Sequence, residues 1–465
     1  MIVRGFGVER FGLLTLAWAV IGYFSLFDLG IGRAITQLTA ERLGNSPARD
    51  VSKLVWTGLF LMSIFSLVGA LLIAALAPWF VSSVLKVSPL LKDEATWAFI
   101  MLALAIPAVV LSAGLAGVLA ALQRFDLINA LRIPMGMMIF LVPIAVLPFS
   151  ESMAHVCAGL MLVRAVFLFL HAVTCFRVFP PMRTHIGLAR TEIKRILSFG
   201  GWMTVSNVAG PLMIYMDRFV IGASLSMSAV AYYVTPYELV ARLLAIPAAL
   251  MAVLFPAFAA SRGSSMRHAA TLYSMGGRAT LGLLAPIVLV IVVFAEEGLR
   301  VWLGEAFSRQ SAPILQWLAI GVFVNSYAQV PFTFIQGAGR ADITAKVHLV
   351  ELPVYLALLF WLLNMYGIIG VAIAWLLRAA LDAVLLTLIA HALAKDTASA
   401  SRQISPALVA PLGLFAIGMM LDETTGKLFF TGFALLLLFV GIYYFAITAE
   451  EKMAIKKMVW CLPRT

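Results

Sequence analysis

Residues 54–80 read LVWTGLFLMSIFSLVGALLIAALAPWF, a run without one charged side chain. At 1.5 Å per helical residue such a run covers about 40 Å, more than the ~30 Å hydrocarbon core of a bilayer. No water is present at that depth, so each backbone N–H and C=O must bond within its own segment, which selects α-helix. Similar apolar runs recur at about 11–34, 96–121, 129–149, 153–176, 200–223, 228–258, 276–296, 313–336, 346–365, 367–393, 405–421 and 428–448. The sequence predicts an all-α polytopic membrane protein with about thirteen transmembrane helices.

Composition agrees with that reading. Apolar residues make up 63% of the 465 positions, charged residues 12%, and the mean hydropathy is +1.02. Soluble domains are roughly 45–50% apolar and about 25% charged. The loops between spans leave no room for a sizeable soluble domain. The net charge of +11 is spread over short loops and forms no patch on a folded surface, so no nucleic acid is expected as a partner. Cys157 and Cys175 fall in one apolar run and Cys461 lies near the end, which argues against a disulfide framework.

The basic residues alternate from loop to loop. One set of loops holds Arg42, Arg49 and Lys53, then Arg177, Arg183, Arg190, Lys194 and Arg195, and finally a tail with Lys452, Lys456 and Lys457. The facing set holds Lys86, Lys92, Arg300, Arg309 and Lys427, with Arg4 and Arg10 near the start. Loops kept in the cytoplasm carry the excess of Lys and Arg, so the richer side is cytoplasmic. This orientation places the first ten residues on the far side, an expectation that implies a preceding helix.

An internal repeat points the same way. RFD at 124–126 and RAD at 340–342 lie 216 positions apart, and LVRA at 162–165 and LLRA at 376–379 lie 214 apart. Near-equal offsets predict two pseudo-repeated six-helix lobes, 1–182 and 183–400, the first lacking most of its first helix. Residues 401–465 then supply two additional transmembrane helices and a cytoplasmic tail.

No phosphate-binding loop, His-Glu-x-x-His, Gly-x-Ser-x-Gly or metal-spaced cysteine pair occurs, so neither catalysis nor a cofactor is expected. The six histidines are scattered, and a lone histidine in or near a span is more often a packed or interfacial residue than a ligand. Charges inside spans carry more information, because a charge at the bilayer centre costs at least ~2.5–3.5 kcal/mol unless it meets a partner or a wet cavity. Arg164 falls near the midplane on a helix without an acidic residue. Arg378 and Asp382, like Glu238 and Arg242, are four apart on one helical face, where self-neutralising pairs are the structural reading. Asp217 and Arg218, and Asp28 and Arg33, lie toward span ends, where interfacial anchoring is the structural reading, and Glu351 is similarly shallow. Arg164 and Arg378 occupy matching repeat positions, so each lobe brings one cation to mid-depth, and a cleft between them would attract an anion. A guanidinium suits phosphate oxygens through its planar fork and keeps its charge when dehydrated. Pro107, Pro134, Pro143, Pro211, Pro247, Pro256, Pro286, Pro331 and Pro353 interrupt spans, which fits bending transporter helices as well as ordinary membrane packing.

Two segments carry a family resemblance. GVERFGLL at 7–14 followed by GYFSLFDLGIGRA at 22–34, and DRFVIG at 217–222 followed by AVAYY at 229–233, resemble the Wzx-type oligosaccharide-lipid flippases. That family belongs to the multidrug, oligosaccharidyl-lipid and polysaccharide exporter superfamily. The resemblance implies that the protein flips an undecaprenyl-pyrophosphate-linked oligosaccharide from the inner to the outer leaflet of a bacterial inner membrane by alternating access. Its implied partners are that polyprenyl-pyrophosphate-linked glycan, membrane lipids, and the polymerase and export proteins of polysaccharide assembly. On this reading Arg164, Arg378, Arg242, Arg218 and Arg33 serve the headgroup, and Asp28, Asp217, Glu238 or Asp382 takes a coupling ion. Two alternatives stand beside it. A multidrug cation antiporter of the same superfamily would want an acidic or aromatic cavity, and a membrane glycan polymerase or ligase would want a large outer loop.

Overall fold

The structure is a computed structural model that describes residues 5–23, 31–43, 47–189, 191–194, 196, 215–260 and 266–441. It is 91% helical, with no strand among the described residues. Ten helical runs among those residues are long and apolar enough to cross a bilayer. One of them, Asp342–Leu393, is two helices broken at Gly367, where φ is 60° and ψ is −140°. Positive φ favours glycine, which has no Cβ to clash. The break falls where the sequence predicts one span to end and the next to begin. The expected spans at 11–34 and 200–223 extend over residues outside those described.

The chain divides into two compact units, 1–231 and 232–465. The first contains α1 (Val8–Tyr23), α2 (Ile31–Arg42), α3 (Ala48–Trp79), α4 (Lys92–Ala121), α5 (Phe125–Val146) and α6 (Met153–Val178), and residues 215–224 are also helical. α4 is its centre and packs on α2, α3 and α6. Small residues set that approach: a Cβ at Gly114 would lie 2.7 Å from Met62 Sδ, and one at Gly117 only 2.8 Å from the Gly32 carbonyl oxygen. On α3, Phe60, Leu67, Leu71 and Leu76 are exposed, as suits a lipid-facing surface. Its hydroxyls are returned to the helix, with Ser63 Oγ donating to the Leu59 carbonyl at 2.8 Å and Thr57 Oγ1 to that of Lys53 at 2.7 Å.

The second unit begins within α7 (Met227–Ala241) and continues with α8 (Ala245–Ala260), α9 (Met266–Val293), α10 (Ala295–Leu303) and α11 (Glu305–Gly337). The two helices flanking Gly367 are α12 (341–366) and α13 (368–393), followed by α14 (Asp396–Met419) and α15 (Thr424–Gly441). α11 is buried along most of its length and packs on α8, α9, α10 and the α12–α13 hairpin. Gly321 lets α11 approach Trp375 of α13, where an added Cβ would stand 2.6 Å from the indole ring.

Two turns repeat between the units. α4 ends at Gln123 with φ 61°, and the Arg124 N–H reaches the Leu119 carbonyl at 2.9 Å. α11 ends at Gly339 with φ 75°, and the Arg340 N–H reaches the Ile335 carbonyl at 3.1 Å. This left-handed residue with a bond reaching five residues back is a helix-ending motif. Arg124 then grips Asp126 through Nε at 2.9 Å and Nη2 at 2.8 Å, and Arg340 grips Asp342 at 3.1 and 3.4 Å. The repeated RFD and RAD segments thus close the same turn and open α5 and α12.

Candidate functional site

α12 and α13 run antiparallel away from Gly367, so residues at nearly equal counts on either side of it meet. Close contact is possible because Gly370 lies directly on the Leu362 carbonyl oxygen, where no side chain fits. Tyr355 therefore faces Arg378, whose guanidinium lies 5.7 Å from the Tyr355 ring and 5.8 Å from the Trp375 ring. Cation–π contact of this kind is worth about 0.5–2 kcal/mol, the upper end when desolvated. Nε of Arg378 is buried without a hydrogen-bond partner. Helix rise sets Arg378 about 16 Å from Gly367 along α13. Its spacing to Asp382 permits an ion pair, yet the two are not in ion-pair contact; the guanidinium turns to the aromatic faces instead.

Asp382 meets a different partner. Its Oδ1 lies 3.7 Å from His348 Nε2, and the His348 ring stacks on Phe332 of α11 at 5.7 Å with planes 12° apart. One turn beyond His348, Glu351 points into the same place. One ligand atom each from His348, Glu351 and Asp382 lies within 4.8 Å of the others. Glu351 is 1% exposed and Asp382 6%, and neither Glu351 oxygen nor Asp382 Oδ1 has a hydrogen-bond partner. The structure adds what the sequence did not show: Glu351, shallow in its span, is buried within the protein, and His348 is a member of a cluster where scattered histidines read as packing. The signal was present in the His348-x-x-Glu351 spacing, which places both on one helix face, and in the near-equal distances of Glu351 and Asp382 from Gly367.

In the first unit Arg164 lies about 16 Å into α6. It is half-buried, its Nη1 donates weakly to Met135 Sδ of α5 at 3.2 Å, and no described carboxylate forms an ion pair with it. Asp217 and Arg218 are 1% and 2% exposed, so the structure buries both where the sequence reads interfacial anchors. The Arg218 guanidinium lies 4.9 Å from the Tyr215 ring, and its backbone N–H donates to Asp217 Oδ1 at 2.8 Å. Glu238 is on α7, and Arg242 begins the 3-10 turn Arg242–Leu244 that follows. Asp28 lies outside the described residues, as does the side chain of Arg33.

Comparison with known proteins agrees with this architecture. Residues 1–262 match the family described as polysaccharide biosynthesis protein. A protein of Shigella flexneri that carries the name of an O-antigen transporter is 31% identical over 388 residues, 83% of this chain and 90% of its own length. A Haloferax volcanii protein named a probable low-salt glycan biosynthesis flippase is 23% identical over 41% of each chain. Among solved structures, an inward-facing multidrug resistance transporter of the MATE family aligns with a TM-score of 0.71 at 13% identity, covering 87% of this chain and 94% of its own. The lipid II flippase MurJ aligns with a TM-score of 0.70 at 13% identity, covering 95% and 96%. Those two likenesses concern the fold. The extent of the family match and the identity to the Shigella protein decide the rest: as the motifs at 7–34 and 217–233 implied, this multi-pass membrane protein belongs to the polysaccharide biosynthesis protein family of Wzx-type flippases.

Proposed function

We propose that the protein flips a polyprenyl-pyrophosphate-linked oligosaccharide from the cytoplasmic to the outer leaflet of a bacterial inner membrane, by alternating access, for surface polysaccharide assembly. The observation that carries this reading is Arg378: a guanidinium well inside an apolar span, held against two aromatic rings and in ion-pair contact with neither neighbouring carboxylate. A cation so placed is costly in hydrocarbon and is kept where it meets an anion. Pyrophosphate matches the guanidinium fork in charge and geometry. Arg164, which forms no ion pair among the described residues, is the corresponding residue of the first unit. Arg33, Arg218 and Arg242 are assigned to the path of the same headgroup, and Asp28, Asp217, Glu238 and Asp382 to ion coupling. A multidrug cation substrate fits less well, because these two mid-depth positions are cationic. The polymerase and export proteins that follow in polysaccharide assembly are the proposed protein partners.

The test is complementation in cells lacking the native gene. Arg378→Ala and Arg164→Ala are expected to insert at normal levels and abolish surface glycan, with Lys at either position restoring part of it. Normal surface glycan in both Ala variants overturns the site assignment.

A further inference from the structure

In the first unit α3 and α6 both pack on α4 and make only slight contact with each other. The gap between them is a cavity of about 480 Å³, walled by Trp56 and Phe60 of α3, Leu115 of α4, and Leu168 and Phe176 of α6. Its floor is the strap that follows α6, made of the one-turn helix Pro181–Thr184 and the residues after it. The strap is held along α3. Ser52 Oγ donates to the carbonyls of Pro181 at 3.1 Å and His185 at 2.9 Å, Trp56 Nε1 donates to that of Met182 at 3.0 Å, and the Ala189 N–H donates to Thr57 Oγ1 at 2.9 Å. Ser52 and Trp56 are one turn apart on one face of α3 and engage the strap directly. With those polar groups paired, the lining of the cavity is almost wholly apolar.

The rim is basic. The Arg183 guanidinium lies 5.8 Å from the centre of the Phe176 ring, so a cation sits on the side chain that forms the wall. The Lys53 stem passes Gly187 of the strap, where an added Cβ would stand 3.6 Å from its Cγ, and a lysine so laid along apolar surface carries its ammonium out to the water. Arg177 ends α6 on the same side. Lys53, Arg177 and Arg183 form no ion pair among the described residues. Between Glu151 and Glu192 the chain has no acidic residue, and Glu192 is itself paired with Arg42 at 2.8 Å. The strap also turns hydrocarbon outward, with Ile186 71% and Leu188 51% exposed.

We propose that this cavity holds one acyl chain of an anionic phospholipid of the cytoplasmic leaflet, whose phosphate rests on the rim formed by Arg183 and Lys53. The loop-charge pattern sets this end of α3 and α6 on the cytoplasmic side. Water in so apolar a cavity finds few partners, whereas a lipid chain enters without losing any. The walls run from Trp56 to Ser63 on α3 and from Leu168 to Phe176 on α6, about 12 Å of helix, which is within the ~15 Å of one leaflet. That depth suits an acyl chain; the polyprenyl chain of a glycan carrier is several times longer. Cations at a membrane surface select anionic headgroups. The bound chain fills the space that α3 and α6 leave over α4, and the headgroup ties the strap to both. This site is separate from Arg164 and Arg378 and does not depend on their assignment.

The experiment places the full chain in vesicles of phosphatidylcholine and phosphatidylglycerol, with bromine on the acyl chains of one lipid at a time, because bromine quenches indole fluorescence only near contact. The quenching that disappears in Trp56→Phe reports the cavity against the remaining tryptophans. That component is expected to favour brominated phosphatidylglycerol over brominated phosphatidylcholine by roughly thirtyfold, the selectivity of two surface cations. Arg183→Gln combined with Lys53→Gln, both outside the packed core, should unfold at the native temperature in detergent and lose the preference. Ala172→Phe, which puts a ring into the cavity, should remove the Trp56 component with the charges in place. Equal quenching by the two lipids, an unchanged preference in the double variant, or a Trp56 component untouched by Ala172→Phe overturns the proposal. So does displacement of the brominated lipid by millimolar inorganic phosphate, which would make the rim a free-phosphate site, or by undecaprenyl pyrophosphate at far lower concentration than phosphatidylglycerol, which would give the cavity to the carrier. Loss of glycan export plays no part in the readout, so the reading of Arg378 stands or falls separately.

Discussion

Lys427 on α15 donates to Glu297 on α10 over 2.8 Å, and its side chain is 6% exposed. Burial alone pushes the Glu297 carboxyl up, but the Lys427 ammonium, the residue's own backbone N–H and the Arg300 charge together outweigh it and hold that carboxyl below its ordinary value. A depressed carboxyl contributes stability above its unfolded value of about 4.3 and loses that contribution as pH falls through the folded value. Thermal unfolding in detergent micelles should therefore show a loss on acidification below about pH 4 that is smaller in Glu297→Gln. Lys427→Met leaves the half-buried Glu297 without its cation and should cost about 1–2 kcal/mol, partly recovered when Glu297→Gln is added.

Gln123 adopts the left-handed conformation that Gly339 adopts in the equivalent turn. A residue with a Cβ pays roughly 1–2 kcal/mol there, offset in glycine by about 0.5–1 kcal/mol of extra unfolded-state freedom. Gln123→Gly should raise stability by about 0.5 kcal/mol, and Gly339→Ala should lower it by about 1 kcal/mol, both read from unfolding midpoints. The opposite order of the two effects would mean that the turns are not equivalent.

The approach of α12 to α13 depends on Gly370. A methyl group there meets the Leu362 carbonyl, a backbone atom that cannot rotate away. Gly370→Ala should destabilise by about 1–3 kcal/mol and, by prying the hairpin open, reduce glycan export more than Gly413→Ala, where an added Cβ meets nothing within 4 Å.

Carrying about two negative charges outward across a membrane potential of about 100 mV, inside negative, releases up to ~4.6 kcal/mol. Collapsing the potential at constant pH gradient should slow flipping in proteoliposomes by several-fold.

Much of the architecture was legible in the linear pattern, because lipid leaves a backbone few choices. An uncharged run such as 54–80 has to be helix, and paired motifs such as RFD and RAD mark where two halves of a chain make the same turn. Gly367 illustrates the limit of that legibility: the break between spans is visible, but the sharpness of the reversal and the register it imposes are not.

That register is what the tertiary structure decided. Sequence alone determined that the protein crosses the bilayer many times and that Arg164 and Arg378 lie well inside apolar spans, away from their ends. It could not determine that Arg378 would turn from Asp382 to Tyr355 and Trp375, or that Glu351 would be drawn into a buried cluster with His348 and Asp382. Spacing along one helix fixes only neighbours on that helix; which side chain crosses to the next is set by how closely the two backbones pack, and here that distance is fixed by a glycine at 370.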